Sequence, residues 1–396
     1  MRDLVTVSEA LDLVLARTHP LAPADTPLAG AAGRVLAEAA VAQHDLPPFP
    51  SSGMDGFALR ADDTPGELAV TARVAAGSPS GRTLSAGEAA AISTGGQVPK
   101  GADAVVPIEQ VEDRGTTVVV THRVVESDNI RPRGGDVRAG TTVVAAGETL
   151  GPAQLGAAAA AGLATVRCAR RPLVAVLITG NELREPGESL GPGEIYDANG
   201  TMLEALIRAA GGDAERHPGV RDDEGELRAA LERALEADVV VTTGGASVGE
   251  HDLVRRVSAG AGVVEVFWGV SVRPGKPIAF GVRGRTLVFG LPGNPVSALV
   301  GFELFVRPAL LALQGAADPS PAFLPGRLAV STRQNAARDS LLPARVLADG
   351  EEVALEPLAG QQSHMIARAA AAQALVFVPR GDGELAAGSA VRYLAL

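Results

Sequence analysis

Three apolar runs between Leu173 and Gly293 each end in a loop of small residues, and that repeat constrains the fold more than any other feature. Leu173 to Gly180 (LVAVLITG), Val239 to Gly245 (VVVTTGG) and Thr286 to Gly293 (TLVFGLPG) read as strands buried on both faces. Helical patterns stand between and after them. Asp197 and Asn199 precede a helix with Thr201-x-x-Glu204 as a capping box and Leu203, Leu206 and Ile207 on its apolar side. Asp222 and Asp223 open another, carrying Leu227, Leu231 and Leu235, and Pro295 opens a third. Strands alternating with helices from Arg171 to Gly315 predict a doubly wound, mainly parallel sheet, whose ligands bind at the carboxyl ends of the strands.

The flanking segments follow other periods. Thr6-x-x-Glu9 is a capping box for a first helix, which His19-Pro20 ends. Asp45 to Gly53 (DLPPFPSSG) reads as an extended, exposed loop that closes at Asp55-Gly56. Short β-like runs between Leu68 and Val125 predict a small β-rich module inserted into the first domain. Pro152 to Gly162 reads as a helix with proline at its start and glycine at its end. After Gly315, five short runs at regular spacing (RLAV, PARVLA, EVALEPL, ALVFVP, AVRYLAL) predict a C-terminal β-barrel or sandwich.

At 396 residues the chain is too long for one ordinary core. A formal net charge of −11 argues against nucleic acid or an anionic membrane as the main partner. The single Cys168 excludes an intrachain disulfide and fits a reducing compartment. The N-terminus has no apolar signal-peptide core, so a cytoplasmic protein is expected.

The loops carry the chemistry. Gly244 and Gly245 let backbone N–H groups approach an anion or a flat ring, and Thr243 and Ser247 add hydroxyls. Asp55, Asp136, Glu182, Asp197, Asp222 and Asp252 stand at loop ends; each can be an ordinary cap, but if several converge they offer hard oxygen ligands of the kind Mg²⁺ takes. Asp136 lies among Arg131, Arg133 and Arg138, a mixture that also suits a solvated turn. Arg273-Pro-Gly-Lys276-Pro holds two cations on a stiffened loop. A fixed cation some 4 Å from an anion is worth roughly 4 kcal/mol at an effective dielectric of about 20, before desolvation. The plain alternative is a proline-stiffened hairpin. Leu291-Pro292-Gly293-Asn294-Pro295 leads into a helix whose first turn contains Ser297, a candidate oxyanion donor. No HExxH, CxxC or Walker A pattern is present.

Taken in series, TTGGASVGEHD, RPGKP and GLPGNPVSA, preceded by SSGMDGFA and STGGQVPKGADAVVP, resemble the molybdopterin molybdenumtransferases, the family of MoeA and the gephyrin E domain, over essentially the whole chain. The resemblance implies an α/β multidomain protein. Residues 1–44 and 138–170 would form an elongated N-terminal and dimerisation domain, 45–137 the inserted β-rich domain, 171–315 the α/β molybdopterin-binding domain and 316–396 the barrel. It implies that adenylylated molybdopterin and molybdate, as substrates, give molybdenum cofactor and AMP, with Mg²⁺ or a similar divalent cation present.

By motif, it carries functional roles onto Asp55, Thr94, Asp136, Glu182 and Asp252, and onto Asp222 with Asp223 as the alternative. Asp55, Glu182 and Asp252 would serve the metal. Arg273, Lys276 and Ser297 match an oxyanion pocket, to which Arg338 and Ser363 contribute. Asp197, Thr243, Gly244, Gly245, Ser247, Pro292, Asn294 and Pro295 complete the substrate-binding set. The resemblance also implies a homodimer that works between a molybdopterin-adenylylating enzyme and molybdoenzyme acceptors. The sequence departs from the family pattern in places: Gly269 replaces a basic residue, Asn181 a carboxylate, and Leu341 and Pro343 part of a C-terminal motif.

Two rival functions are a molybdopterin adenylyltransferase-like enzyme and a non-catalytic cofactor-binding scaffold. The modules before Arg171 and after Gly315 argue against the first. The pairing of a basic loop with an acidic set argues against the second.

Overall fold

A computed structural model describes residues 4–221, 223–244, 253–349, 352–360 and 362–396. Its first helix, α1 (Val7–Leu15), starts where the capping box places it: Glu9 N–H donates to the Thr6 hydroxyl at 3.2 Å, and Thr6 N–H to the Glu9 carboxylate at 2.8 Å. Ala10 and Val14 on its inner side join the central apolar core. α2 (Pro152–Ala160) likewise begins at its proline, and Gly162 beyond it takes a positive φ of 88°.

The inserted module is a six-stranded sheet. Its strand Gly56–Leu59 is buried throughout and lies between Glu88–Ile92 and Ala104–Pro107, antiparallel to both. The stretch before it differs from the exposed loop expected there. Ser51 and Ser52 are buried and pair with Arg131 and Ile130, because backbone hydrogen bonds of Ser52 to Gly95 and Gly96 also tie this stretch to the module.

The middle of the chain builds the sheet that positions the site. In chain order its elements are β1 (Leu173–Thr179), α3 (Ala198–Ala209), β2 (Asp213–Val220), α4 (Glu224–Ala234), β3 (Val239–Thr243), α5 (Leu253–Gly260), β4 (Val264–Trp268), β5 (Ala279–Arg283), β6 (Thr286–Leu291) and α6 (Pro295–Gly301). The strand order is β2-β1-β3-β6-β5-β4. Contacts from β2 to β6 are parallel, and β5 runs antiparallel to both its neighbours. Val239, Val240 and Val241 are fully buried, as an apolar run covered on both faces requires. α4 begins with Asp223 as its cap, accepting from Gly225 and Glu226 N–H at 2.9 Å. α3 begins earlier than its sequence suggested. Asp197, not Thr201, is the cap, and Glu204 pairs along the helix with Arg208 at 3.0 Å.

From α6 the helix continues through a π-helical turn, Phe302–Val306, into Arg307–Leu313. The run Pro295–Leu313 has the length and apolarity of a membrane span, but 83% of its most apolar window is buried inside the fold, so it serves as the core helix of this domain.

The C-terminal strands β7 (Leu324–Leu328), β8 (Asp339–Asp349), β9 (Glu352–Pro357), β10 (Ala374–Val378) and β11 (Ala390–Ala395) close into a five-stranded barrel. The ring of pairings runs β8-β9-β7-β11-β10 and back to β8. Closure removes the free edges of the sheet. The segment Val272–Arg273 adds to this barrel, parallel to Asp339 and Ser340.

Candidate active site

Register places the chemistry-bearing loops at one edge of the sheet. Ile178 lies opposite Thr243, Thr243 opposite Leu291, and Gly290 opposite Ala279. The loops that follow β1, β3 and β6, and the one that enters β5, therefore share that edge. A cleft of about 520 Å³ opens there, lined by Thr179, Glu182, Asp197, Asn199, Thr243 and Gly244 on one side and by Asn294, Pro295 and His364 on the other.

Asn199 ties the cleft together. Its carboxamide nitrogen donates to the Thr243 hydroxyl at 2.9 Å and to the Gly293 carbonyl at 2.7 Å, and the Thr243 hydroxyl donates to the Pro292 carbonyl at 3.1 Å. Asn199 Oδ1 and Thr179 Oγ1 are buried with no hydrogen-bond partner among the described residues. An acceptor and a hydroxyl left unpaired inside a fold cost free energy unless a ligand or water meets them.

Gly244 has a φ of 94°, and a Cβ there would collide with the Thr179 carbonyl, so only glycine fits. The Glu182 carboxylate folds back to within 2.9 Å of where a Cβ on Gly180 would sit. Asp197, 4% exposed, accepts from Gly200 N–H at 3.0 Å and pairs with Arg216 at 2.6 Å. The barrel reaches this cleft through Ser363. Its hydroxyl accepts from Asn294 Nδ2 at 2.9 Å, and its carbonyl from Val296 N–H at 3.0 Å. Pro295 opens α6, and Ser297 is buried in its first turn, its N–H bonded to the Asn294 carbonyl at 3.0 Å.

A basic pair lies where the barrel joins the sheet domain. Arg338 donates to the Val272 carbonyl at 3.2 Å and its own N–H is held by Asn335 Oδ1 at 2.9 Å. Burial, and then the like charge of Arg273, depress the pKa of its guanidinium. Arg273 also lines a polar groove of about 690 Å³ with residues 330–336, Pro357, Gly381 and Asp382. Lys276 is exposed on the same loop. Two cations brought together by the fold favour an oxyanion between or beside them.

The remaining residues expected at the site lie elsewhere. Asp55 and Thr94 meet on the inserted module, with Thr94 N–H donating to Asp55 at 2.7 Å, and both are exposed. Asp136 is exposed and is not the acid that its neighbouring arginines engage. Arg133 pairs instead with Asp45 at 2.6 Å, whose pKa is lowered by the Ala139 N–H and then by Arg133. None of these three lines the strand-end cleft. Asp222, Gly245, Ser247 and Asp252 lie outside the described residues. Among the described residues no three carboxylates, histidines or cysteines converge on a metal position. Glu182 and Asp55 in particular belong to separate parts of the chain.

Sequence reasoning passed over Asn199, Thr179, Arg216 and Asn335 as site residues. Asn199 had a faint signal, standing two residues after an acidic cap; Arg216 had none, since a strand arginine is ordinary until its partner is known.

With this geometry in place, comparison with known proteins is informative. Residues 5–162 match the model of the MoeA N-terminal region (domain I and II), 175–312 a probable molybdopterin binding domain, and 325–396 the MoeA C-terminal region (domain IV). The chain is 37% identical to molybdopterin molybdenumtransferase 2 of Mycobacterium tuberculosis, over 97% of this chain and 98% of that one. It is 32% identical to the molybdopterin molybdenumtransferase of Staphylococcus epidermidis, over 98% and 95%. A crystal structure of a molybdopterin biosynthesis MoeA protein from Pyrococcus horikoshii superposes with a TM-score of 0.82 at 33% identity, covering 99% of each chain.

Proposed function

The chain belongs to the molybdopterin molybdenumtransferase (MoeA) family, transferases of molybdenum cofactor biosynthesis, and on that premise we propose that it transfers molybdate into adenylylated molybdopterin with release of AMP. The observation that carries the reading is that a cleft with unpaired buried polar groups shares one sheet edge with the loop bearing Arg273 and Lys276, beside which the barrel sets Arg338.

In this reading the cleft takes the substrate. Asn199 Oδ1 and the Thr179 hydroxyl meet polar groups of the ligand, while Thr243, Pro292, Asn294 and Pro295 hold the loops around it. Gly244, with Gly245 and Ser247, lets the phosphoanhydride approach the backbone. Asp197 braces the N-terminus of α3. Arg273, Lys276 and Arg338 hold molybdate, with Ser297 and Ser363 beside it. Water attacks the phosphoanhydride, the P–O–P bond breaks and AMP leaves, while the dithiolene thiols displace oxo groups of molybdate, which depart as water with the thiol protons and protons from solvent. Placing fixed charges against the oxyanions supplies most of the rate, and no covalent nucleophile takes part.

Mg²⁺ or a similar divalent cation belongs to the same reading, with Glu182, Asp252 and Asp55 as its carboxylates, and Asp136 and Asp222 as further acids of the reaction. The described carboxylates of one chain do not converge on a cation position. Asp55, Thr94 and Asp136 lie apart from the cleft of their own chain, which supports a homodimer in which a second copy brings them to it. A molybdopterin-adenylylating enzyme would supply the substrate and molybdoenzymes would accept the product, in the cytoplasm.

The test is to mix purified protein with adenylylated molybdopterin, molybdate and Mg²⁺ and to follow AMP. Molybdate-dependent release, lost in Lys276→Ala and Asp252→Ala, is expected. Tight substrate binding with no release would leave a cofactor-binding protein. Mixing Asp55→Ala with Lys276→Ala protein should restore part of the activity if two copies share each cleft.

A further inference from the structure

A second cavity lies between α5 and the sheet. It has a volume of about 400 Å³. Its floor is the face of β5 and β6 where Ala279 and Gly290 carry a methyl group or less, and Gly290 takes no positive φ that would require glycine. Gly281 lines it too, but there a Cβ would strike Val263 and the Val264 carbonyl, so close packing requires that glycine. The small side chains at Ala279 and Gly290 leave a slot.

The slot's walls select for a particular kind of ligand. Val254, Val263 and Val288 make it apolar. The two charges that line it neutralise each other, Arg255 Nη2 donating to Glu265 Oε1 at 2.7 Å. A charged ligand would find no net countercharge among the described lining residues, and burying it would be costly. At one end the Arg255 guanidinium lies 5.4 Å from the centroid of the Trp268 ring, a stacked planar wall of the kind that packs against another flat π-system. The Thr242 hydroxyl also lines the slot; its bond to the Phe289 carbonyl is long, at 3.3 Å, so it is placed to meet a polar ring edge.

We infer that this slot binds a neutral, flat, bicyclic heteroaromatic ring. Gly244 lines both this slot and the strand-end cleft, so the two cavities share a wall at that residue. In this respect the inference rests on the proposed function, whose substrate carries such a ring in the purine of its adenylyl group; an oxidised pterin shares that ring chemistry.

Trp268 is the only tryptophan in the chain, so intrinsic fluorescence reports on this slot alone. The full-length protein is titrated with adenosine and, separately, with a simple 6-substituted pterin, and binding is confirmed by equilibrium dialysis. A saturable change in Trp268 emission with adenosine assigns the purine, and one with the pterin assigns the pterin; either supports the inference. Filling the slot from the sheet with Ala279→Leu, or from the helix with Ser258→Leu, should weaken that binding at least about tenfold. Using both variants, each checked by circular dichroism, guards against one that fails to fold. No response to either ring, or a response unchanged in the folded filled variants, overturns the inference. AMP release without a ring response would remove the slot alone. A ring response without AMP release would remove the insertase reading alone.

Discussion

Asn199 donates to Thr243 across 2.9 Å, joining the first turn of α3 to the end of β3. The same carboxamide reaches Gly293 at 2.7 Å, so one side chain spans a helix start and two strand-end loops and leaves its oxygen unpaired within the cleft lining. The hydrogen bonds fix which face of the carboxamide is left for a ligand.

Asn199→Ala removes two buried bonds, taking the donor from the Gly293 carbonyl and leaving the Thr243 hydroxyl its bond to Pro292. A loss of about 1–3 kcal/mol in unfolding free energy is expected. Molybdate-dependent AMP release should fall further than stability alone explains, by roughly 10- to 100-fold at temperatures where the variant is fully folded. Denaturant titration and the AMP assay, run on the same preparation, check both. Full activity in a destabilised but folded variant would confine Asn199 to a structural role.

Gly244→Ala and Gly284→Ala separate strain from collision. Both glycines have positive φ, 94° and 60°, but a Cβ at Gly284 meets nothing within 4 Å, whereas at Gly244 it strikes the Thr179 carbonyl. Gly284→Ala should cost only about 1 kcal/mol for its backbone conformation. Gly244→Ala must move the loop and should abolish AMP release even where the protein still folds. Thermal unfolding together with activity tells the two effects apart.

Glu303 sets a pH dependence of stability. Burial raises its pKa above the usual 4.5, and Arg307, at 3.8 Å, only partly offsets this. Between the unfolded and the folded pKa the native state holds more protons than the unfolded chain, so stability from this group falls as pH rises through that window. Glu303→Gln mimics the protonated form. It should be more stable than the parent at pH 7, and the difference should vanish below about pH 4. Urea midpoints at the two pH values measure it; equal shifts at both would show that packing, not ionisation, is responsible.

Arg273 and Arg338 predict stabilisation by dianions. The Arg273 charge adds to burial in disfavouring that of Arg338, and a bound oxyanion relieves that repulsion. Molybdate at about 100 times its dissociation constant should add roughly 2.7 kcal/mol to unfolding free energy. Arg338→Met should lose most of this response while leaving the ligand-free protein as stable as before or more so. A thermal shift with molybdate that is the same in parent and variant would place the oxyanion elsewhere.

What the sequence determined by itself was whatever depends on neighbours a few residues away. The Thr6–Glu9 box, the Asp223 cap, the proline starts at Pro152 and Pro295 and the buried valines of β3 are local patterns, and each stands where the chain announced it. Tertiary structure decided the rest, because it depended on partners distant along the chain. Asp197 displaces Thr201 as the cap of α3 since Arg216, from the next strand, neutralises it inside the fold. Asp45, not Asp136, takes Arg133 because the loop folds back across 88 residues of sequence. The barrel closes only when β8 meets β10, and its side strand from Val272–Arg273 sets Arg273 beside Arg338. No local period records such meetings. Charge neutralisation and hydrogen-bond satisfaction in a buried place select them once the chain has come together.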